Sequence, residues 1–146
     1  MKPQRFETAS EDETIELGKR LAADLPARAV VLLIGNLGAG KTTLAKGIVA
    51  GLGAAAIEEV SSPTFTLIHE YGAGRRVYHI DLYRLETAAE VATLGLDEIF
   101  DREAVALIEW GERFQGLMPV ERIEVRLRAL DDDRREIIIV PKPEAG

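Results

Sequence analysis

Apolar residues recur along the chain with two different periods, and each predicts a different element. Ala29 to Ile34 and Ala104 to Ile108 are short unbroken runs rich in Val, Leu and Ile, the pattern of strands buried on both faces of a parallel sheet. Leu17, Leu21 and Leu25 instead follow helical spacing up to Pro26, behind a capping box formed by Ser10 and Glu13. Lys41 to about Leu52 is helical again, with Gly51 and Gly53 as its stop. Glu86 to Leu94 predicts a helix ending at Gly95, and Leu96 to Phe100 adds a short helical turn. Phe65 to Tyr71 and Arg76 to Asp81, joined through Gly72-Ala73-Gly74-Arg75, predict a β-hairpin. Arg122 to Leu130 and Arg135 to Val140 predict a second around Asp131-Asp132-Asp133. No element is assigned to the polar stretch Met1 to Ser10. Together these imply a three-layer α/β fold with a mostly parallel sheet elaborated by β-hairpins.

Length and charge narrow the function classes. A chain of 146 residues is expected to form one compact domain over residues 1–146. Its net charge of −7 argues against a broad basic face that grips nucleic acid, so contact with RNA is expected through a partner. With no cysteine, disulfides, thiolate metal sites and cysteine nucleophiles are excluded. Met1 to Ser10 holds no apolar stretch of signal-peptide length and no apolar run is long enough to span a bilayer, so the expected location is the cytoplasm.

The chemistry is concentrated where the first buried strand ends. Gly35-Asn36-Leu37-Gly38-Ala39-Gly40-Lys41-Thr42 satisfies G-x-x-x-x-G-K-[ST], the phosphate-binding P-loop. A strand precedes it and a helix follows, so backbone N–H groups and the positive helix end converge on phosphates. Lys41 is expected to reach the β and γ groups. The Thr42 hydroxyl is expected on Mg²⁺, a hard cation that takes oxygen ligands.

Such a loop also needs an acidic residue at the end of a neighbouring strand. Glu109 follows the run Ala104 to Ile108 and is assigned to Mg²⁺, directly or through water. Asp81 ends the strand Arg76 to Ile80 and is placed near the γ-phosphate, orienting the attacking water or a metal-bound water. Lys41, Asp81 and Glu109 are thus the candidate catalytic residues. Ser61-Ser62-Pro63-Thr64 offers hydroxyls to phosphate or metal-bound water, although loops of this composition are usually plain turns. His69 and His79 lack a cluster at metal-ligand spacing and read as strand packing or surface. Trp110, the sole tryptophan, reads equally as core or as a site residue beside Glu109.

Four blocks, the glycine loop through Thr43, Ser62-Pro63-Thr64-Phe65, His79-Ile80-Asp81-Leu82-Tyr83-Arg84-Leu85 and Leu107-Ile108-Glu109-Trp110, occur in an order that resembles the bacterial TsaE family. The resemblance runs from about Glu11 to Val140. It implies a P-loop ATPase required for making N6-threonylcarbamoyladenosine next to the anticodon of tRNAs that read codons beginning with A. It further implies association with the TsaD and TsaB proteins, which ATP hydrolysis resets between turnovers, and contact with tRNA only through that complex. By the same resemblance, ATP is held by Asn36, Leu37, Gly38, Ala39, Gly40, Lys41, Thr42 and Thr43. Mg²⁺ falls to Thr42 and Glu109, and the important aspartate is Asp81. The adenine end maps to Glu13 or Thr14 and to Arg134 or Arg135, of which Arg135 is preferred.

Two other classes share the motif. A small-molecule kinase would need a second pocket and arginines closing over the phosphate, for which Arg75, Arg76 and Arg84 are the candidates. A nucleotide-dependent binding module would need neither. A guanine-specific switch is disfavoured, since the chain contains no Asn-Lys-x-Asp segment.

Overall fold

The computed structural model describes residues 2–72 and 75–141. In chain order the elements are β1 (Gln4–Thr8), α1 (Glu11–Asp24), β2 (Ala29–Ile34), α2 (Lys41–Gly51), β3 (Ile68–Tyr71), β4 (Val77–Asp81), α3 (Ala88–Ala92), α4 (Leu96–Phe100), β5 (Val105–Glu109), β6 (Ile123–Ala129) and β7 (Arg135–Pro141). Short 3₁₀ segments cover Ile57–Glu59 and Gly111–Leu117. The described strands form one seven-stranded sheet in the order β1-β7-β6-β2-β5-β4-β3. Its centre is parallel, through the pairs β6–β2, β2–β5 and β5–β4. The flanking pairs β3–β4, β6–β7 and β1–β7 are antiparallel.

The unbroken apolar runs occupy the middle of this sheet because both of its faces are covered. Along β2 the side chains alternate between two cores. Val31 and Leu33 join Leu17, Leu21, Leu44 and Ile48 beneath α1 and α2. Val30 and Leu32 join Val91, Ile99, Phe100 and Phe114 on the other side. This is the three-layer arrangement expected from the sequence.

Helices α1 and α2 touch backbone to backbone. A Cβ added at Gly47 would lie 2.1 Å from the Ile15 carbonyl oxygen, and one at Gly18 would lie 2.6 Å from that of Leu44. Glycine is therefore required at both positions, and the contact holds the start of α1 close to the start of α2. The cap of α1 also forms: Ser10 Oγ accepts from the Glu13 amide at 3.1 Å, while the Glu13 carboxylate accepts from the Ala9 amide at 2.9 Å.

Two local readings change. The polar N-terminus contains β1, an edge strand held by its ladder to β7 with only Thr8 fully buried. The first part of the Phe65 to Tyr71 run is a turn: the Leu67 amide donates to the Pro63 carbonyl, Leu67 adopts φ 70°, and Phe65 stays 83% exposed. The stop of α2 falls where it was expected: Gly51 is its last residue, and Gly53, at φ 71°, turns the chain away. The Ala73-Gly74 part of the predicted hairpin turn lies outside the described residues. No described helix is long and apolar enough to cross a membrane.

Candidate functional site

Strand β2 delivers the chain to a loop whose shape depends on glycine. Gly38 and Gly40 have φ of 79° and 100°, the left-handed region that side-chain-bearing residues avoid. A Cβ at Gly35 would meet the Leu127 carbonyl oxygen at 2.6 Å, so the loop can run against β6 only without one. Gly40 is the N-cap of α2 and has no side chain to cap it. The first amides of α2 consequently belong to an open cleft of about 690 Å³.

The parallel register then aligns the acidic residues. Leu33 of β2 is opposite Glu109 of β5, and Glu109 is opposite Asp81 of β4. Both carboxylates thus sit in one row at the carboxyl ends of the parallel strands, where open α/β sheets bind ligands. Both are buried, as is Lys41.

Each group is held by a specific contact. Lys41 Nζ donates to the Gly35 carbonyl at 2.7 Å and lies 3.5 Å from the centre of the Trp110 ring. Burial pulls its ammonium below the ordinary lysine range, while Glu109, Glu112 and Asp81 act in the opposite direction. The Thr42 hydroxyl donates to Glu109 Oε2 at 3.2 Å. Asp81 Oδ2 accepts from Thr64 Oγ1 at 2.9 Å and Ser62 Oγ at 3.4 Å, and its Oδ1 accepts from the Tyr83 amide at 2.8 Å. The hydroxyl loop therefore attaches to Asp81. Trp110 is half-buried with φ 67° and packs on Tyr83 at 5.2 Å between ring centres.

Of the residues expected around the nucleotide, Leu37, Gly38, Gly40, Lys41, Thr42, Thr43 and Arg135 line the cleft. Asn36 and Ala39 are set apart from that lining. The Asn36 carbonyl closes the loop by accepting from the Ala39 amide at 3.1 Å, and the Ala39 methyl is in the core. Arg135 Nη1 donates to the carbonyls of Asp131, Asp132 and Arg134, and its Nη2 reaches the Gly38 carbonyl at 3.2 Å. The turn between β6 and β7 is thereby fastened to the glycine loop. Of the paired alternatives, Thr14 and Arg135 line the cleft. Glu13 is engaged by the cap of α1 and Arg134 by Asp131.

Residues 8–137 match the family described as threonylcarbamoyl adenosine biosynthesis protein TsaE. The chain belongs to that family. It is 43% identical to the TsaE protein of Bacillus subtilis over 138 residues, covering 94% of this chain and 85% of that one. It is 38% identical to the TsaE protein of Treponema pallidum over 135 residues, covering 92% and 98%. The crystal structure of YdiB from Bacillus subtilis superposes with a TM-score of 0.79 at 35% identity, over 97% of this chain and 87% of that one. TsaE proteins belong to the pathway that makes threonylcarbamoyladenosine in tRNA.

Within this TsaE fold the sequence reading missed one buried partner. His79, read as packing or surface, is fully buried with Nε2 2.6 Å from Glu109 Oε2. The available signal was alternation, since His79 lies two residues before Asp81 and so shares its face of the sheet. Arg75 donates to the Leu25 and Pro26 carbonyls, Arg76 pairs with Glu70, and Arg84 donates to the Phe65 carbonyl. None of the three lines the cleft, which removes the arginines that a kinase reading required. Arg113 takes a structural place beside the site: its Nη2 donates to the carbonyls of Leu82, Tyr83 and Leu85.

Proposed function

We propose that this chain hydrolyses ATP and, through that hydrolysis, resets a TsaB–TsaD complex between rounds of tRNA modification. The product would be N6-threonylcarbamoyladenosine beside the anticodon of tRNAs that read codons beginning with A. The observation that carries the ATPase reading is the convergence of Lys41, Thr42, Glu109 and Asp81 on one cleft beneath a glycine loop.

The donor set fits Mg²⁺. The Thr42 hydroxyl directs its hydrogen to Glu109 Oε2, which leaves its lone pairs for a cation, and the neighbouring carboxylates supply further hard oxygen. Thr42 and Glu109 would hold the ion. When bound, Mg²⁺ would supply neutralisation of the phosphate charge. Lys41 exchanges its bond to the Gly35 carbonyl for the β and γ phosphates, and the free amides at the start of α2 bind phosphate oxygens. Asp81, fixed by Thr64, Ser62 and the Tyr83 amide, orients the attacking water at the γ-phosphate. Leu37, Gly38, Thr43, Thr14 and Arg135 complete the nucleotide envelope, with Asn36 and Ala39 acting through the loop backbone.

Among the described residues Arg135 is the one arginine lining the cleft, and its Nη1 and Nη2 donate to backbone carbonyls. Charge stabilisation by an arginine supplied in trans raises P-loop hydrolysis by about 10³ to 10⁵, so turnover is slow alone and rises with the partner complex. The test is phosphate release from ATP with Mg²⁺, alone and with TsaB, TsaD and tRNA, for wild type, Lys41→Ala and Glu109→Ala. Dependence on both residues and acceleration by the partners is the expected result. Rates that ignore the partners, together with unaltered tRNA modification, would refute the reset role.

A further inference from the structure

His79 has no part in the chemistry above, yet it occupies the centre of β4 with no solvent exposure. Strand alternation places it on the face that carries Asp81, and the register with β5 sets it opposite Leu107, two residues before Glu109. Its Nε2 lies 2.6 Å from Glu109 Oε2, the same oxygen that accepts from the Thr42 hydroxyl. We propose that His79 is a positioning residue for Glu109, holding the carboxylate in the orientation that serves the metal. This rests on the reading of Glu109 as a metal carboxylate.

The tautomer follows from the bonding. A carboxylate oxygen accepts, so Nε2 carries the hydrogen. Among the described residues His79 Nδ1 is buried without a hydrogen-bond partner, and an N–H there would be a desolvated donor with no acceptor. Nδ1 therefore carries the lone pair, and the ring has one hydrogen to give, which goes to Glu109. Such an imidazole orients the carboxylate without neutralising it. A guanidinium or ammonium at this position would compete with the cation for the same oxygens.

The need for such a partner lies in the side chain. Glutamate has one more rotatable bond than aspartate, so its carboxylate must be restrained to meet a metal with strict geometry. His79 and Thr42 both bond Oε2, restraining it from two elements, β4 and α2. Removing an outer partner of this kind typically costs about 10- to 100-fold in metal affinity or activity.

The test uses the full chain and two readouts. Calorimetry gives ADP affinity with Mg²⁺ and in EDTA, and phosphate release gives the Mg²⁺ concentration for half-maximal turnover. His79→Gln, whose amide N–H can reach the place of Nε2, is expected within about threefold of wild type, the factor equivalent to less than one hydrogen bond. His79→Asn is too short and is expected to raise the Mg²⁺ requirement about 10- to 100-fold, with ADP affinity in EDTA unchanged. His79→Leu lacks the donor at similar size and carries the comparison should His79→Asn fail to fold. In a Glu109→Gln background the donor-less change should add nothing, as coupling through one residue requires.

Equal Mg²⁺ dependence in the Gln variant and the donor-less variant, with Glu109→Gln impaired, overturns the proposal and leaves the reading of Glu109 standing. Loss of ADP affinity in EDTA would indicate a damaged pocket and also overturns it. Wild-type Mg²⁺ dependence in Glu109→Gln overturns the reading of Glu109 itself.

Discussion

Two buried carboxylates flank the central strand, and they are satisfied by opposite kinds of partner. Glu109 ends β5 on one side of β2, while Glu124 opens β6 on the other, opposite Leu32. Glu109 accepts from a histidine ring and a threonine hydroxyl, both through one oxygen. Glu124 receives Arg122 at 2.9 Å on Oε2 and Arg126 at 2.7 Å on Oε1. Burial pushes the Glu124 carboxyl up, but the hydrogen bonds from Arg126 and Arg122 outweigh it and hold the group below the ordinary glutamate range. A carboxylate embraced by two guanidinium groups has both charge and geometry completed within the fold, so it serves structure. One pinned by weaker donors is oriented but not neutralised, which suits the cation proposed to bind there with the nucleotide.

Four outcomes would break or sharpen this contrast. The largest is expected for Glu109→Gln. Turnover should fall about 10²- to 10³-fold, the usual result of removing one preorganised electrostatic group. Unfolding free energy should stay within about 1 kcal/mol, because the amide oxygen still accepts from His79 and Thr42. Glu124→Gln should do the reverse. Denaturant unfolding should show a loss of about 1 to 3 kcal/mol as the two arginines lose their counter-charge, moderated because Arg126 is half exposed, while ATP turnover by the folded protein is unchanged. A large turnover defect in Glu124→Gln would erase the distinction.

Asp81 extends the contrast to a third buried carboxylate held by neutral donors. Thr64→Ala removes its 2.9 Å hydroxyl partner and leaves Ser62 at 3.4 Å and the Tyr83 amide. Turnover should fall about five- to tenfold, equivalent to one hydrogen bond of about 1 kcal/mol, as read from phosphate release at saturating ATP. The smallest effect belongs to the surface. Asp131 is drawn from 3.8 down to about 2 by the Arg134 amide, the Arg134 guanidinium and the Asp133 amide. Its native pKa lies below its unfolded value, so its contribution is complete above the ordinary aspartate range and disappears as pH falls towards about 2. Carboxyl titration by NMR should find that low midpoint, and Arg134→Ala should move it partway back because the two backbone donors remain.

Much of the site was legible because its parts are contiguous. Gly35 to Thr42 announces a strand, a glycine loop and a helix, and each glycine with positive φ meets a requirement of the local backbone. Glu109 and Asp81 were legible as acidic residues that end strand-like runs, and the β2–β5 pairing places Glu109 where that reading put it. By contrast, β1 was hidden because Gln4–Thr8 is stabilised at the sheet edge by backbone ladder bonds, with little burial to impose an apolar pattern. The turn at Phe65 was hidden because an exposed aromatic residue and a β-branched neighbour read as strand until the Pro63 carbonyl is seen to capture the Leu67 amide.

The sequence by itself determined the local elements of the phosphate loop, the buried character of the central strands and the family motif set. These depend on residue spacing, backbone freedom and side-chain polarity within a few positions. The tertiary structure alone decided that β6 takes the other side of β2, that His79 meets Glu109 across 30 residues of chain, that Trp110 covers Lys41, and that Arg135 ties the last hairpin to Gly38 across 97. Such contacts arise from strand order and register, which the packing of two apolar cores sets globally and no local pattern encodes.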